Sequence, residues 1–183
     1  MEQKSTFWKT AMTYGLYLGI VITLFSVILY VSGEALNKSL GYITLPLYAV
    51  GIILAQIHYR DREQNGSISY GQAVGFGTAV MLFCAIISAL YSLIIFKVDP
   101  SLIEQVRIAQ EEAYLKNGMN QEMIEKTMEM TAKMMTPGWM AIMGLFSTVI
   151  MGTIISLVTS IFVKRQPNQD VFDEVMEEVK TDE

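Results

Sequence analysis

Side chains able to do chemistry are few in this chain, and they do not gather. The single histidine, His58, stands between Ile57 and Tyr59 with Arg60 next along the chain. No cysteine or second histidine lies near it to complete a metal site, so it reads as a polar residue at a headgroup boundary. A serine nucleophile would have to pair His58 with Ser67 or Ser69, and neither sits in a G-x-S-x-G turn. There is no H-E-x-x-H and no phosphate-cradling glycine loop. The one cysteine, Cys84, rules out an intrachain disulfide and reads as a small apolar residue in a helix. These residues predict no catalytic group, no metal and no cofactor, and hence a protein that is not an enzyme.

A local structural device is better marked than any chemistry. In Gly66-Ser67-Ile68-Ser69-Tyr70-Gly71-Gln72-Ala73, Ser69 and Gln72 have capping-box spacing. The serine oxygen accepts from the amide of Gln72, and the glutamine reaches back to the serine backbone. The stretch is therefore a helix start, followed by glycines that admit a close neighbour.

The elements around these residues are set by where the charges are not. Of the 183 residues, 52% are hydrophobic. Windows 10–33, 39–59, 64–96 and 134–163 contain no Asp, Glu, Lys or Arg. Each suffices for the roughly 20 residues that cross ~30 Å of hydrocarbon. The chain is thus predicted to be all-α: a single polytopic membrane domain over 1–183, with spans at about 7–31, 40–59, 70–96 and 138–163. Lys4 and Lys9 precede the first apolar run as in a signal peptide, but the run is too long and lacks an A-x-A-like site. An uncleaved first helix is expected. Pro46 falls inside the second span, where a kink is expected. The net charge of −5 offers no basic surface to a nucleic acid.

In lipid, helices associate by close packing over small side chains. Gly15 and Gly19 in the first span, Gly71 and Gly75 in the third, and Gly144 and Gly152 in the fourth recur at spacings of four or eight. They are the predicted helix-packing positions, within the chain or between chains.

Residues 99–135 are predicted to form an amphipathic helical hairpin outside the bilayer. Asp99-Pro100 marks its start as N-cap and N1, Asn117-Gly118 the turn, and Asn120 the second cap. Its methionines (Met119, Met123, Met128, Met130, Met134 and Met135) either offer an adaptable binding surface or fill gaps between the two helices and the membrane surface. The segment 164–183 is an acidic tail. Val171, Phe172, Val175, Met176 and Val179 share a helical face there, so it either docks to protein or stays disordered. Basic residues close to span ends (Lys4, Lys9, Arg60, Arg62, Lys164 and Arg165) predict both termini in the cytoplasm and the hairpin outside.

Taken with the four-helix layout and the long helical insertion before the last helix, Tyr14-Gly15-Leu16-Tyr17-Leu18-Gly19 and Gly66–Ala73 resemble a bacterial membrane-protein family classed as a domain of unknown function. The resemblance implies a multi-pass topology in the bacterial inner membrane and carries no catalytic residue. The functional expectation is a scaffold or accessory subunit that packs in the bilayer with itself, as a homo-oligomer, or with a larger membrane partner. The alternative is a small transporter or channel-like protein for an uncharged or lipid-like substrate, since no charge lies within the spans.

Overall fold

The computed structural model describes residues 2–132 and 134–165. The predicted acidic tail lies outside the described residues from 166 onward. The chain forms α1 (Glu2–Val31), α2 (Lys38–Gly41), α3 (Thr44–Glu63), α4 (Tyr70–Val98), α5 (Ser101–Lys116), α6 (Gln121–Ala132) and α7 (Pro137–Val163). Among the described residues the only extended pairing is a bridge between Ile68 and Arg165. Four helices are long and apolar enough to cross a membrane: α1, α3 with the short α2 before it, α4 and α7. This is an all-α, multi-pass architecture, with α5 and α6 standing between the third and fourth spans.

The second span departs from the sequence expectation in an instructive way. The chain breaks at Tyr42–Ile43, and Pro46 then stands in the first turn of α3. Tyr42 is the residue four before Pro46, whose ring would clash with that carbonyl in a continuous helix, so the expected kink takes the form of a break one turn before the proline. At its other end α3 runs to Glu63, beyond the expected stop at Tyr59. Tertiary partners hold the extra turn: Thr10 on α1 donates to Glu63 Oε1, and Arg60 Nη1 donates to the Val163 carbonyl at 3.1 Å.

Asp99 is likewise displaced by one position. It closes α4, and α5 begins at Ser101 with Pro100 before it. The carboxylate still serves the new helix, accepting from Ser101 N at 3.1 Å and Ser101 Oγ at 2.6 Å. It also accepts from Tyr30 Oη at 3.0 Å, tying the end of α1 to this corner. Asn120 accepts from Met123 N at 2.8 Å and caps α6. Thr136 caps α7, whose first residue is Pro137. The tight turn between α3 and α4 uses Asn65 and Gly66 with φ of 51° and 82°, the left-handed pair that Asn-Gly accommodates best.

Within the bundle, α3 and α4 each touch both α1 and α7. The most intimate pairs are α4 with α7 and α4 with α1. Phe76, Val80, Met81 and Cys84 of α4 form one buried core with Ala11, Leu18 and Ile22 of α1 and Ile52 and Ala55 of α3. In the hairpin Ile124 and Met128 of α6 are buried, and Leu102 at the start of α5 is buried beside Tyr30 and Tyr91 of the bundle.

The hydrogen bonds from the Ser101 and Tyr30 hydroxyls hold the Asp99 carboxyl below its ordinary value of 3.8. A lowered folded-state value means the ionised form favours the fold: that stability is present above the ordinary value and is lost as pH falls through the folded one. Asp99→Asn should therefore lower the thermal midpoint of the detergent-solubilised protein at neutral pH. The gap from wild type should narrow once the pH is taken below about 4, read by circular dichroism at both pH values.

Candidate functional site

The most tightly organised polar group in the molecule is the amide of Gln56. It is fully buried on α3, the only Asn or Gln in its charge-free window. Its Nε2 lies 2.9 Å from the Ala73 carbonyl, 2.9 Å from Ser160 Oγ and 3.2 Å from Ser156 Oγ, three acceptors that share its two N–H groups, while its Oε1 is buried without a hydrogen-bond partner. One side chain thus joins α3 to the first turn of α4 and to α7. Ser156 Oγ in turn donates to the Val74 carbonyl at 3.1 Å, and Thr159 Oγ1 to the Ser156 carbonyl at 3.3 Å. Apolar surroundings make an unpaired amide N–H costly, so the burial of Gln56 Nε2 depends on α4 and α7 supplying its acceptors.

The knot also dictates a glycine. A Cβ on Gly77 would lie 2.2 Å from Ser156 Oγ and 2.8 Å from Gln56 Nε2, so only hydrogen fits there. Below the amide, Tyr59 stacks on Phe76 with ring centroids 4.1 Å apart, and Phe7 meets both rings edge-on. Gln64 Nε2 donates to Tyr59 Oη at 2.9 Å.

Three of the six predicted packing glycines make close approaches. At Gly15 a Cβ would meet Phe83 Cβ at 2.5 Å and the Val80 carbonyl at 2.6 Å; at Gly19, Ile87 Cβ at 2.9 Å; at Gly152, Met81 Cγ at 2.4 Å. The other three, Gly71, Gly75 and Gly144, have nothing within 4 Å of a Cβ. Among the described residues they are not packing positions: their sides of α4 and α7 turn away from the neighbouring helices. Gly51, which spacing did not single out, faces Leu18 Cδ1 at 2.5 Å.

A known family, described as "Protein of unknown function (DUF4199)", matches residues 13–165 of the chain. The chain belongs to this family. No curated protein and no solved structure matches it. The DUF4199 match takes in all of α3 to α7 and most of α1, and so every member of the Gln56 knot. It ends on Arg165, whose N–H and carbonyl pair with Ile68 at 3.0 and 2.8 Å. That pairing fastens the end of the last span to the loop before α4.

The predicted cap is formed in both directions, with Gln72 N to Ser69 Oγ at 3.3 Å and Ser69 N to Gln72 Oε1 at 3.1 Å. The remaining reactive side chains stay apart. His58 is exposed with its ring 5.2 Å from that of Tyr14. Ser67 Oγ turns to the Gln64 carbonyl at 3.4 Å, Ser69 is engaged in the cap, and Cys84 is buried in the core. Among the described residues no three His, Cys, Asp or Glu side chains are placed to hold a metal ion. Ser156 and Ser160 count as small residues by spacing alone, and their hydroxyl chemistry becomes visible only once Gln56 faces them.

Substitutions separate these roles. Gly15→Ala and Gly77→Ala force backbone or knot atoms apart and should each cost about 1–3 kcal/mol. Gly75→Ala meets open space and should leave the isolated chain unchanged or stabilise it by about 0.5–1 kcal/mol. Gln56→Leu should cost about 1–2 kcal/mol, given about 0.6 kcal/mol for an average intramembrane hydrogen bond and roughly 1.7 at most. Denaturation midpoints in mixed detergent micelles measure all four.

Proposed function

We propose that this membrane protein is a scaffold or accessory subunit, packing through α4 and α7 with itself or with a larger membrane partner. The observation that carries the reading is the bare glycine surface. Gly71, Gly75 and Gly144 lie within membrane-spanning helices, and no described residue comes within 4 Å of a Cβ placed on any of them. A helical glycine away from the termini is worth roughly 0.5–1 kcal/mol less than alanine, and its use in membranes is to let another backbone come close. The filled centre of the bundle, with Gln56, Phe76, Val80 and Met81 all at 0% exposure, supports a packing role over a solute path.

Both chain ends are proposed to face the cytoplasm of a bacterial cell, with the α5–α6 hairpin on the outer side of the inner membrane. The support is that Arg60, Arg165 and the start of α1 lie at one end of the bundle, as the contacts of Arg60 with Val163, Arg165 with Ile68, and Phe7 with Tyr59 require. Positive charge near span ends favours the cytoplasmic side.

Gly75→Leu and Gly144→Leu should reduce the crosslinked or co-purified assembly recovered from native membranes at least several-fold, while the monomer keeps its helicity. Recovery of monomer alone from the wild type, with both variants silent, would refute the assembly. For orientation, a cysteine placed at Asn117 in a Cys84→Ala background should react with an impermeant maleimide from outside intact cells. Labelling only after the cytoplasm is opened would reverse the assigned topology.

A further inference from the structure

Where α6 gives way to α7, a cavity of about 290 Å³ is lined by Met134, Met135, Met140 and Met143, with Trp139, Gln110 and Thr131 completing its wall. Four of the chain's 13 methionines therefore line one hollow. We infer that this cavity is a binding site for a soft monovalent cation, Cu(I) or Ag(I), ligated by thioether sulfurs.

Met135 and Met140 line the cavity half-buried, and Met134 and Met143 stand exposed at its rim. Met134 N and Met135 N both donate to the Thr131 carbonyl, at 2.8 and 3.1 Å, and Thr136 N donates to the Met134 carbonyl at 2.9 Å. This tight turn sets the first methionine pair against the opening turns of α7, where Met140 and Met143 share a side at i, i+3 spacing. Methionines used only to fill space leave no hollow, because three rotatable bonds let the side chain follow any gap. These line a hollow, and the same torsions let their sulfurs close on a central ion.

The donor set selects the ion. Thioethers are neutral, polarisable ligands that favour Cu(I), whereas zinc, calcium and magnesium take thiolate, imidazole or oxygen donors. No carboxylate, histidine or cysteine is among the lining residues. Trp139 adds an aromatic face that attracts a cation. Gln110 Oε1 is buried without a hydrogen-bond partner, leaving an oxygen donor available at the wall. Thioethers bind no proton in the physiological range, so affinity should be flat with pH.

The test uses Ag(I), which is redox-stable, titrated as nitrate into the full-length protein in chloride-free detergent solution. A Cys84→Ala, Trp8→Phe background removes the only thiol and leaves Trp139 as the sole tryptophan. The expected result is saturable binding near one equivalent, with Trp139 fluorescence quenched and the methyl resonances of Met134, Met135, Met140 and Met143 shifted. Met135→Leu with Met140→Leu should weaken binding at least tenfold with helicity unchanged, and Zn(II) should not compete. The site is overturned if the exposed Met123 and Met130 methyls shift as much as these four, if the double variant binds as tightly, or if Zn(II) competes equally. Should the double variant misfold, the methyl map of the background protein decides alone. The outcome is independent of whether the protein assembles through α4 and α7.

Discussion

One amide constrains the inside of this bundle. A glutamine side chain in an apolar interior must find partners at the same depth, and Gln56 finds them on two other helices at once. Hydrophobic residues could shift by a rotamer or slide along a helix without much penalty, because lipid and protein interior are equally apolar. A hydrogen-bonded amide permits no such slide. It sets the depth of α3 relative to both the first turn of α4 and the last turns of α7. Gly77 then follows as a steric necessity, since any side chain there would occupy the space of Ser156 Oγ.

The same end of the bundle collects the other specific interactions. The capping box starts α4, the Ile68–Arg165 bridge ties its approach to the end of α7, and Arg60 reaches the Val163 carbonyl. The far end is built differently. There Tyr30 is tied to Asp99, and the cavities beside the hairpin include one of about 180 Å³ among Tyr30, Tyr91 and Leu102 and one of about 290 Å³ among the methionines. A bundle fixed at one end and hollowed at the other can change side-chain arrangement beside the hairpin without disturbing the register set at Gln56.

Much of this was legible in the sequence, for definable reasons. Spans follow from charge-free length, and caps follow from local chemistry, so Ser69, Gln72 and Asn120 could be read directly. Reading the hairpin from Leu102, Ile124 and Met128 needed only helical periodicity. Pro46 marked the disruption but not its form: the helix breaks at Tyr42–Ile43, one turn before the proline, instead of bending through it. The knot was the hardest part to see. Ser156 and Ser160 on their own are small residues in a small-residue stripe, and what makes them ligands of Gln56 is a pairing of α3 with α7 across about a hundred residues. A lone glutamine in an otherwise charge-free span was the available sign.

The glycines carry the argument from packing to function. Spacing treats all six predicted positions alike, but the fold divides them by what their missing Cβ admits. Gly15, Gly19 and Gly152 admit Phe83, Ile87 and Met81, so their conformational cost is offset within the chain. Gly71, Gly75 and Gly144 admit nothing. Chance placement of small residues would scatter such positions over every lipid-facing surface. Here two lie one turn apart on α4, which makes the most extensive contacts with α1 and α7. A further helix docked over Gly71 and Gly75 would therefore touch the element that holds the bundle together. Contact at that face reaches the Gln56 knot through Ala73 and Val74, the residues between the two glycines.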